Sequence, residues 1–291
     1  MSECIYVDGK FCSEENAKVS VFDHGYLYGD GVFEGIRFYN SRIFRFDKHM
    51  KRLYDSAKAI LLTIPVDVNE FKEIIKESVR KSGFTDGYLR VIVSRGMGDL
   101  GLDPRKCPKP TIVVIPAKLK LYPQEAYDNG MSIITVPTRR SPSEVLNPRI
   151  KSLNYLNNIL AKIEASNVGY DEAIMLNQDG GVAECTADNI FFIKDKVIYT
   201  PAISNGALKG ITRDFVCEIA QKAGYEIKET NVSRYDIYTA DELFITGTAC
   251  EIMPVVKADG RSIGAEGKVG DITKQLLAKF TELVTVEGEP V

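Results

Sequence analysis

The sequence predicts an α+β or α/β chain of two domains, and three observations lead there. Segments with strand and helix patterning are intermixed through both halves. The length of 291 residues allows one large or two modest domains with enough chain for a proper core. Midway, Pro116 and Pro123 bracket a short basic stretch with no clear period, which reads as a linker. The expected division is a small N-terminal domain at 1–116, a linker at 117–123 and a larger C-terminal domain at 124–291.

Each element has a local reason. Ile5–Val7 and Lys10–Cys12 flank Asp8-Gly9, a hairpin turn pair, and Val32–Tyr39 and Arg42–Phe46 flank Asn40-Ser41 in the same way. A helix is expected from Lys48 to about Leu62, ended by Pro65. A second starts after Asn69, buries Phe71, Ile74, Ile75 and Val79 at helical spacing, and stops at Gly83. Strands follow at Tyr88–Ser94, Thr111–Ile115 and, beyond the linker, Met131–Val136. An amphipathic helix comes next, with Leu153, Leu156, Leu160 and Ile163 on one stripe. Glu172–Leu176, Ile190–Ile193 and Val197–Thr200 read as strands, and Ile211–Ala223 as a helix closed by Gly224. Glu242–Thr246 and Ile252–Val256 are the last strands and Val269–Leu283 the last helix.

Composition narrows the function. A net charge of −3 gives no reason to expect a nucleic-acid or membrane surface. No apolar run nears the length of a membrane span, and Met1-Ser2-Glu3-Cys4 lacks a leader pattern, so a cytoplasmic protein is expected. The cysteines at 4, 12, 107, 185, 217 and 250 form no Cys-x-x-Cys pair and read as small apolar residues or free thiols. Neither His24 nor His49 has a second ligand at metal spacing, so metal chemistry is not expected.

The most informative segment is Arg149-Ile150-Lys151-Ser152-Leu153-Asn154-Tyr155, which sets one lysine where an irregular stretch enters a helix. Most lysines at helix starts are simply solvated. A lysine held against the protein instead loses basicity through burial and can form a Schiff base with a substrate or cofactor carbonyl. Two further segments are built to hold an anion. Leu208-Lys209-Gly210-Ile211-Thr212-Arg213-Asp214 opens a helix whose N–H groups suit a phosphate, and Phe244-Ile245-Thr246-Gly247-Thr248-Ala249 ends a strand in a small-residue turn. Singly, each is better explained by an ordinary cap or turn. Glu184 interrupts small and apolar residues and needs a partner, either a salt bridge and backbone N–H groups or a protonated pyridine nitrogen. Gly96-Met97-Gly98-Asp99-Leu100-Gly101 matches a dinucleotide-loop pattern, but Pro104, Pro108 and Pro110 forbid the helix it needs, so it reads as a loop.

Taken in order, Tyr28-Gly29-Asp30-Gly31-Val32-Phe33-Glu34-Gly35-Ile36-Arg37, His49-Met50-Lys51-Arg52-Leu53, Lys151-Ser152-Leu153-Asn154-Tyr155, the Glu184 segment, Gly210-Ile211-Thr212-Arg213-Asp214 and Gly247-Thr248-Ala249 resemble the fold-type IV pyridoxal-phosphate aminotransferases. The resemblance runs from about residue 5 to 284 and is nearest to the branched-chain amino-acid aminotransferases. It implies that the C-terminal domain binds pyridoxal 5′-phosphate. Lys151 would carry the cofactor and shuttle a proton, Glu184 would pair with the pyridine nitrogen, and Tyr155 would bond the phenolic oxygen. Arg52, Ile211, Thr212 and Thr248 would hold the phosphate, with Gly210 and Gly247 as further cofactor-binding positions. Arg52 is named by the resemblance alone, since with His49 and Ser56 it lies on the side of its helix read as polar and solvated. Tyr28, Phe33, Tyr88 and Arg90 match pocket positions, with Thr248 and Ala249 offering N–H groups to the substrate carboxylate; His49 inherits no role and is expected to be structural.

The implied reaction exchanges the amino group of valine, leucine or isoleucine with 2-oxoglutarate. The alternatives are a D-amino-acid aminotransferase or a 4-amino-4-deoxychorismate lyase of the same fold. Phe33 stands where the D-specific relatives carry tyrosine, and the 95–101 loop lacks their histidine, which favours L-substrates. Asn154 stands where the lyases usually carry threonine. The chain has no tryptophan, although many branched-chain members place one near the linker. A homodimer at least, with a hexamer as the larger alternative, is implied.

Overall fold

The computed structural model describes residues 3–118, 122–264 and 266–291. The chain forms two compact units that are not contiguous in sequence: Met1–Leu119 with Ile150–Asn154 and Val284–Val291, and Lys120–Arg149 with Tyr155–Leu283.

The first unit contains β1 (Ile5–Val7), β2 (Lys10–Cys12), α1 (His24–Tyr28), β3 (Gly31–Tyr39), β4 (Arg42–Ile43), α2 (Phe46–Ala59), α3 (Val68–Ser82), β5 (Gly87–Ser94) and β6 (Thr111–Ala117). Its seven-stranded sheet runs from the C-terminal strand Glu289–Pro290 through β4, β3, β5, β6 and β1 to β2. Both predicted hairpins form. Asp8 and Gly9, and then Asn40 and Ser41, take positive φ, the conformation that a two-residue turn between twisted strands requires. The expected strand Arg42–Phe46 is shorter than read: Arg45 turns left-handed at φ 51° and the chain enters α2 at Phe46. α3 starts where Asp67 accepts from the N–H groups of Asn69 and Glu70 and ends at Gly83 with φ 69°, so its boundaries follow from local chemistry. Phe71, Ile75 and Val79 of α3 join Val32, Ile36, Phe38, Met50, Leu53, Leu89, Val91 and Val93 in the core.

The second unit contains α4 (Gln124–Asn129), β7 (Met131–Thr135), α5 (Leu156–Asn167), β8 (Glu172–Leu176), β9 (Val182–Cys185), β10 (Asn189–Lys194), β11 (Val197–Pro201), α6 (Ile211–Lys222), β12 (Ile227–Thr230), α7 (Arg234–Tyr238), β13 (Glu242–Gly247), β14 (Glu251–Ala258) and α8 (Asp271–Val284). Its sheet order is β12-β11-β10-β13-β14-β7-β8-β9, with Arg261–Ser262 pairing β14. Parallel pairs (β7 with β8 and β14, β11 with β12) join antiparallel ones, so the α+β expectation holds for the mixed sheet.

Two expectations are corrected. Lys151 does not belong to the second unit. The segment carrying it lies along β3: Phe33 N–H donates to Lys151 O at 2.9 Å, Leu153 N–H donates to Gly31 O at 2.9 Å, and Val32 bridges Ser152. Long-range backbone pairing of this kind leaves no local signal. The contiguous division at 116 and 124 therefore gives way to interleaved units, and residues 119–121 of the expected linker lie outside the described residues. The second correction concerns α5. Its apolar stripe does not face the core: Leu156, Leu160 and Ile163 are 60%, 46% and 48% exposed, while Leu153 packs in the first unit next to Gly25 and Gly31. Ala161 and Ala165 face β7 and β8 instead, because small side chains let the helix backbone approach the sheet closely.

Candidate active site

In the first unit, strand alternation divides β3 into two chemically different faces. Val32, Ile36 and Phe38 point into the core, and Glu34 points with them, fully buried. Its carboxylate is met from α2. Arg52 Nε donates to Oε1 at 2.7 Å and Arg52 Nη2 to Oε2 at 2.8 Å, while His49 Nδ1 lies 2.7 Å from Oε2. Burial alone would raise the Glu34 carboxyl, but Arg52 and His49 together outweigh it and hold the group down at about 2. Burial in turn pushes the His49 imidazole below its usual range, although Glu34 pulls the other way. The side of α2 that reads as polar is thus turned inward, with His49 and Ser56 buried and Arg52 half-buried. Ser56 Oγ accepts from Lys151 N–H at 3.2 Å.

The opposite face of β3 and β5 gathers four of the expected pocket and catalytic residues. Phe33 and Gly35 on β3 pair across the ladder with Ile92 and Arg90. The Arg90 guanidinium carbon lies 4.5 Å from the Phe33 ring centroid and 5.5 Å from that of Tyr88. Lys151 Nζ lies 4.6 Å from the same Phe33 centroid. An amine and a guanidinium therefore share one phenyl ring, an arrangement that ring quadrupoles favour. Gly35 is needed for this packing, since a Cβ there would fall 1.9 Å from the Tyr88 hydroxyl oxygen. Tyr28 is held differently: at the end of α1, its hydroxyl donates to Leu100 O at 2.6 Å, while a His24 ring nitrogen lies 2.8 Å from Asp99 O. These contacts fasten the 95–101 segment, which is a loop as the prolines require.

In the second unit, Glu184 on β9 is buried and its partners are explicit. Arg140 Nε donates to Oε1 at 2.8 Å, and Leu208 N–H and Asn189 Nδ2 donate to Oε2 at 2.9 and 3.3 Å. Arg140 was not found from sequence, because it lies in an irregular stretch with no periodic signal. Its Nη1 reaches Asn158 Oδ1 at 3.2 Å, and Asn158 in turn donates to Thr186 O at 2.6 Å, which ties the start of α5 to the turn after β9. Gly210 is the N-cap of α6 and provides no side-chain cap for the first-turn N–H groups, where Ile211 and Thr212 are buried. A Cβ at Gly210 would lie 2.0 Å from Asn189 Oδ1, so the approach to the Glu184 partner fixes this residue as glycine. β13 ends at Gly247, where an added Cβ would fall 1.9 Å from Asp188 Oδ1, and Thr248 and Ala249 form the half-buried turn that follows. The Cys250 thiol lies 3.1 Å from Asp188 Oδ1, and burial next to Glu172 pushes the Asp188 carboxyl well above the usual range. Tyr155 is the half-buried N-cap residue of α5. Among the described residues no cluster of metal-ligand side chains occurs.

Comparison with known proteins now decides the family. The aminotransferase class IV profile matches residues 31–258, most of the chain. The chain belongs to the class IV aminotransferases. A Methanocaldococcus jannaschii protein, provisionally named a branched-chain-amino-acid aminotransferase, is 51% identical over 284 residues, spanning 98% of this chain and 97% of its own. The crystal structure of the Escherichia coli branched-chain amino acid aminotransferase superposes with a TM-score of 0.95 at 34% identity, over 99% of this chain and 97% of that one. The T.th. branched-chain amino acid aminotransferase complexed with N-(5′-phosphopyridoxyl)-L-glutamate gives a TM-score of 0.91 at 38% identity, over 97% and 93%. Within this class IV aminotransferase the resemblance read from the motifs is confirmed, together with the two-domain α+β architecture.

Proposed function

We propose that this class IV aminotransferase exchanges the amino group of branched-chain L-amino acids with 2-oxoglutarate, giving branched-chain 2-oxo acids and L-glutamate, with pyridoxal 5′-phosphate as cofactor. The observation that carries the reading is the shared ring, with Lys151 Nζ and Arg90 at 4.6 and 4.5 Å from the centroid of Phe33. It sets an amine suited to carbonyl chemistry beside a carboxylate-binding cation and an apolar wall. The names of the relatives support the same substrates.

The donor sets suit the cofactor. A phosphate dianion needs cations and N–H groups; Arg52 in one unit is of the first kind and the uncapped start of α6 in the other is of the second. A protonated ring nitrogen needs a carboxylate, and Glu184 is buried with a counter-charge behind it. Arg52, Ile211 and Thr212 behind Gly210, and Thr248 after Gly247 would hold the phosphate; Tyr155 would donate to the phenolic oxygen; Lys151 would carry the carbonyl carbon. When bound, pyridoxal phosphate supplies the electron sink that makes the substrate α-proton acidic. With its Nζ against the Phe33 ring, Lys151 would take that proton and return it as a positioned general base and acid. Arg140 balances Glu184, so the carboxylate can favour the protonated ring nitrogen without becoming an isolated buried charge. The N–H groups of Thr248 and Ala249 orient the α-carboxylate. Phe33, Tyr88 and Tyr28 wall an aliphatic side chain, while Arg90 and the Tyr88 hydroxyl take the distal carboxylate of glutamate.

The enzyme works in the cytoplasm as a homodimer at least. The exposed α5 stripe of Leu156, Ile159, Leu160 and Ile163 supports association, since these residues adjoin on one helix face and monomers rarely leave a contiguous apolar patch uncovered. No helix among the described residues is long and apolar enough to cross a membrane. L-leucine with 2-oxoglutarate should yield L-glutamate, with D-alanine inert in the same assay. Turnover of D-alanine without L-leucine, or pyruvate release from 4-amino-4-deoxychorismate without an acceptor, would overturn the substrate assignment. A fully active monomer in sedimentation would refute the oligomer.

A further inference from the structure

Arg52 is an arginine assigned to a phosphate, yet it already faces a carboxylate, and that carboxylate is the unusual group. Glu34 sits on the core face of β3 between Val32 and Ile36, fully buried, where an apolar side chain would fit the strand pattern. A buried carboxylate carries a desolvation cost and is tolerated only with partners that satisfy it. Here both partners come from one face of α2, three residues apart, His49 and Arg52. The contact with Arg52 is a two-point fork at 2.7 and 2.8 Å, which fixes the plane of the guanidinium as well as its position. His49 at 2.7 Å holds the same Oε2 that receives Arg52 Nη2, so the carboxylate cannot swing away from the pair. One turn further, Ser56 of the same helix accepts from the Lys151 N–H, so α2 registers both Arg52 and the lysine segment.

We propose that Glu34, backed by His49, is a positioning residue that fixes the Arg52 guanidinium in the orientation that receives the cofactor phosphate. The proposal rests on the assignment of Arg52 to the phosphate given above. Electrostatics alone argues for the clamp: a carboxylate beside an anion-binding arginine subtracts attraction for the anion, so its value there lies in orientation. An arginine side chain left to itself samples many rotamers, and immobilising it on binding weakens affinity. The clamp meets that cost in folding, before the ligand arrives.

The test compares two ligands that differ only in the phosphate. Apoenzyme, as the full chain, is titrated with pyridoxal 5′-phosphate and with pyridoxal, following the absorbance of the bound form. Arg52→Gln is the reference and should weaken the phosphate-bearing ligand selectively; equal loss for both ligands would overturn the phosphate assignment itself. With that reference in place, Glu34→Gln should lower affinity for pyridoxal 5′-phosphate roughly ten- to hundredfold, the scale of one charged hydrogen bond, and leave pyridoxal within about twofold. Glu34→Asp, which keeps the charge, should recover part of the loss. If Glu34→Gln weakens both ligands equally, or neither, the carboxylate is merely structural and the inference fails. Should Glu34→Gln not fold, His49→Ala decides: a selective, severalfold loss upholds the clamp, and unchanged selectivity overturns it.

Discussion

Replacing Gly35 with alanine tests the pocket face at a single atom. The added Cβ would lie 1.9 Å from the Tyr88 hydroxyl oxygen and 2.7 Å from the ring carbon that bears it, where ordinary contacts begin near 3.4 Å. Tyr88 must therefore retreat by about 1.5 Å, because β3 and β5 are locked in register from Gly31↔Ser94 to Phe38↔Gly87 and cannot shift alone. That movement takes the ring from under Arg90, now 5.5 Å from its centroid, and leaves the guanidinium on Phe33 only. A misplacement of about 1 Å in a positioning group can cost on the order of 10²-fold in rate, so kcat/KM for L-leucine should fall by about that factor. Because the clash falls on the tip of a half-buried side chain that can turn aside, the stability cost should be small, about 1 kcal/mol. Steady-state kinetics and thermal unfolding read the two effects separately. Gly35→Ala combined with Tyr88→Phe removes the closest atom and should regain part of the stability. An alanine variant with stability unchanged and kcat/KM within about twofold of the parent would mean that Tyr88 does not occupy this position.

The remaining predictions concern the buried charges. Glu184→Ala leaves the Arg140 guanidinium buried without its carboxylate and should cost about 3–5 kcal/mol in chemical denaturation; a loss under about 1 kcal/mol would show that the pair is not buried as described. Glu34 is ionised in the fold down to about pH 2 against an ordinary 4.5, so its contribution is complete above pH 4.5 and fades as pH falls towards 2. The full span is worth about 3 kcal/mol. His49 acts in the same sense at higher pH: its depressed imidazole resists protonation, so stability declines as pH drops below 6.5. Urea unfolding of Glu34→Gln should therefore be flatter below pH 5 than that of the parent, and parallel curves would contradict the ion-pair account. Gly210→Ala places a Cβ 2.0 Å from Asn189 Oδ1 and should displace a donor to Glu184, weakening cofactor binding at least tenfold, roughly the loss of one hydrogen bond. Unchanged affinity would remove Gly210 from the site.

Much of the fold was legible because it rests on local chemistry. Gly83 ends α3 as read, while its start is set by Asp67, two residues before the expected Asn69; Asp8-Gly9 and Asn40-Ser41 close hairpins, and the alternating strands of both sheets lie close to where periodicity puts them. What escaped depends on partners distant in sequence. The fork between Glu34 and Arg52 joins a strand to a helix, so helix periodicity alone makes Arg52 look solvated. Sequence order groups Lys151 with the helix that follows it, whereas its backbone pairs with Phe33, more than a hundred residues earlier. The α5 stripe misled in the opposite direction, since apolar spacing marks a face without saying whether the sheet covers it, and the sheet is met by Ala161 and Ala165. Short elements such as α1, α4, β9 and β12 carry too few residues for a period to show.

The central claim is that Lys151 carries the cofactor, and reductive trapping tests it most directly. Holoenzyme treated with borohydride should fix a phosphopyridoxyl group on the peptide containing Lys151, with prior exposure to L-leucine abolishing the label and 2-oxoglutarate restoring it. Lys151→Ala should show neither the adduct nor the visible absorbance band. A label on another lysine, or a Lys151→Ala protein that still binds the cofactor covalently and turns over L-leucine, would contradict the account.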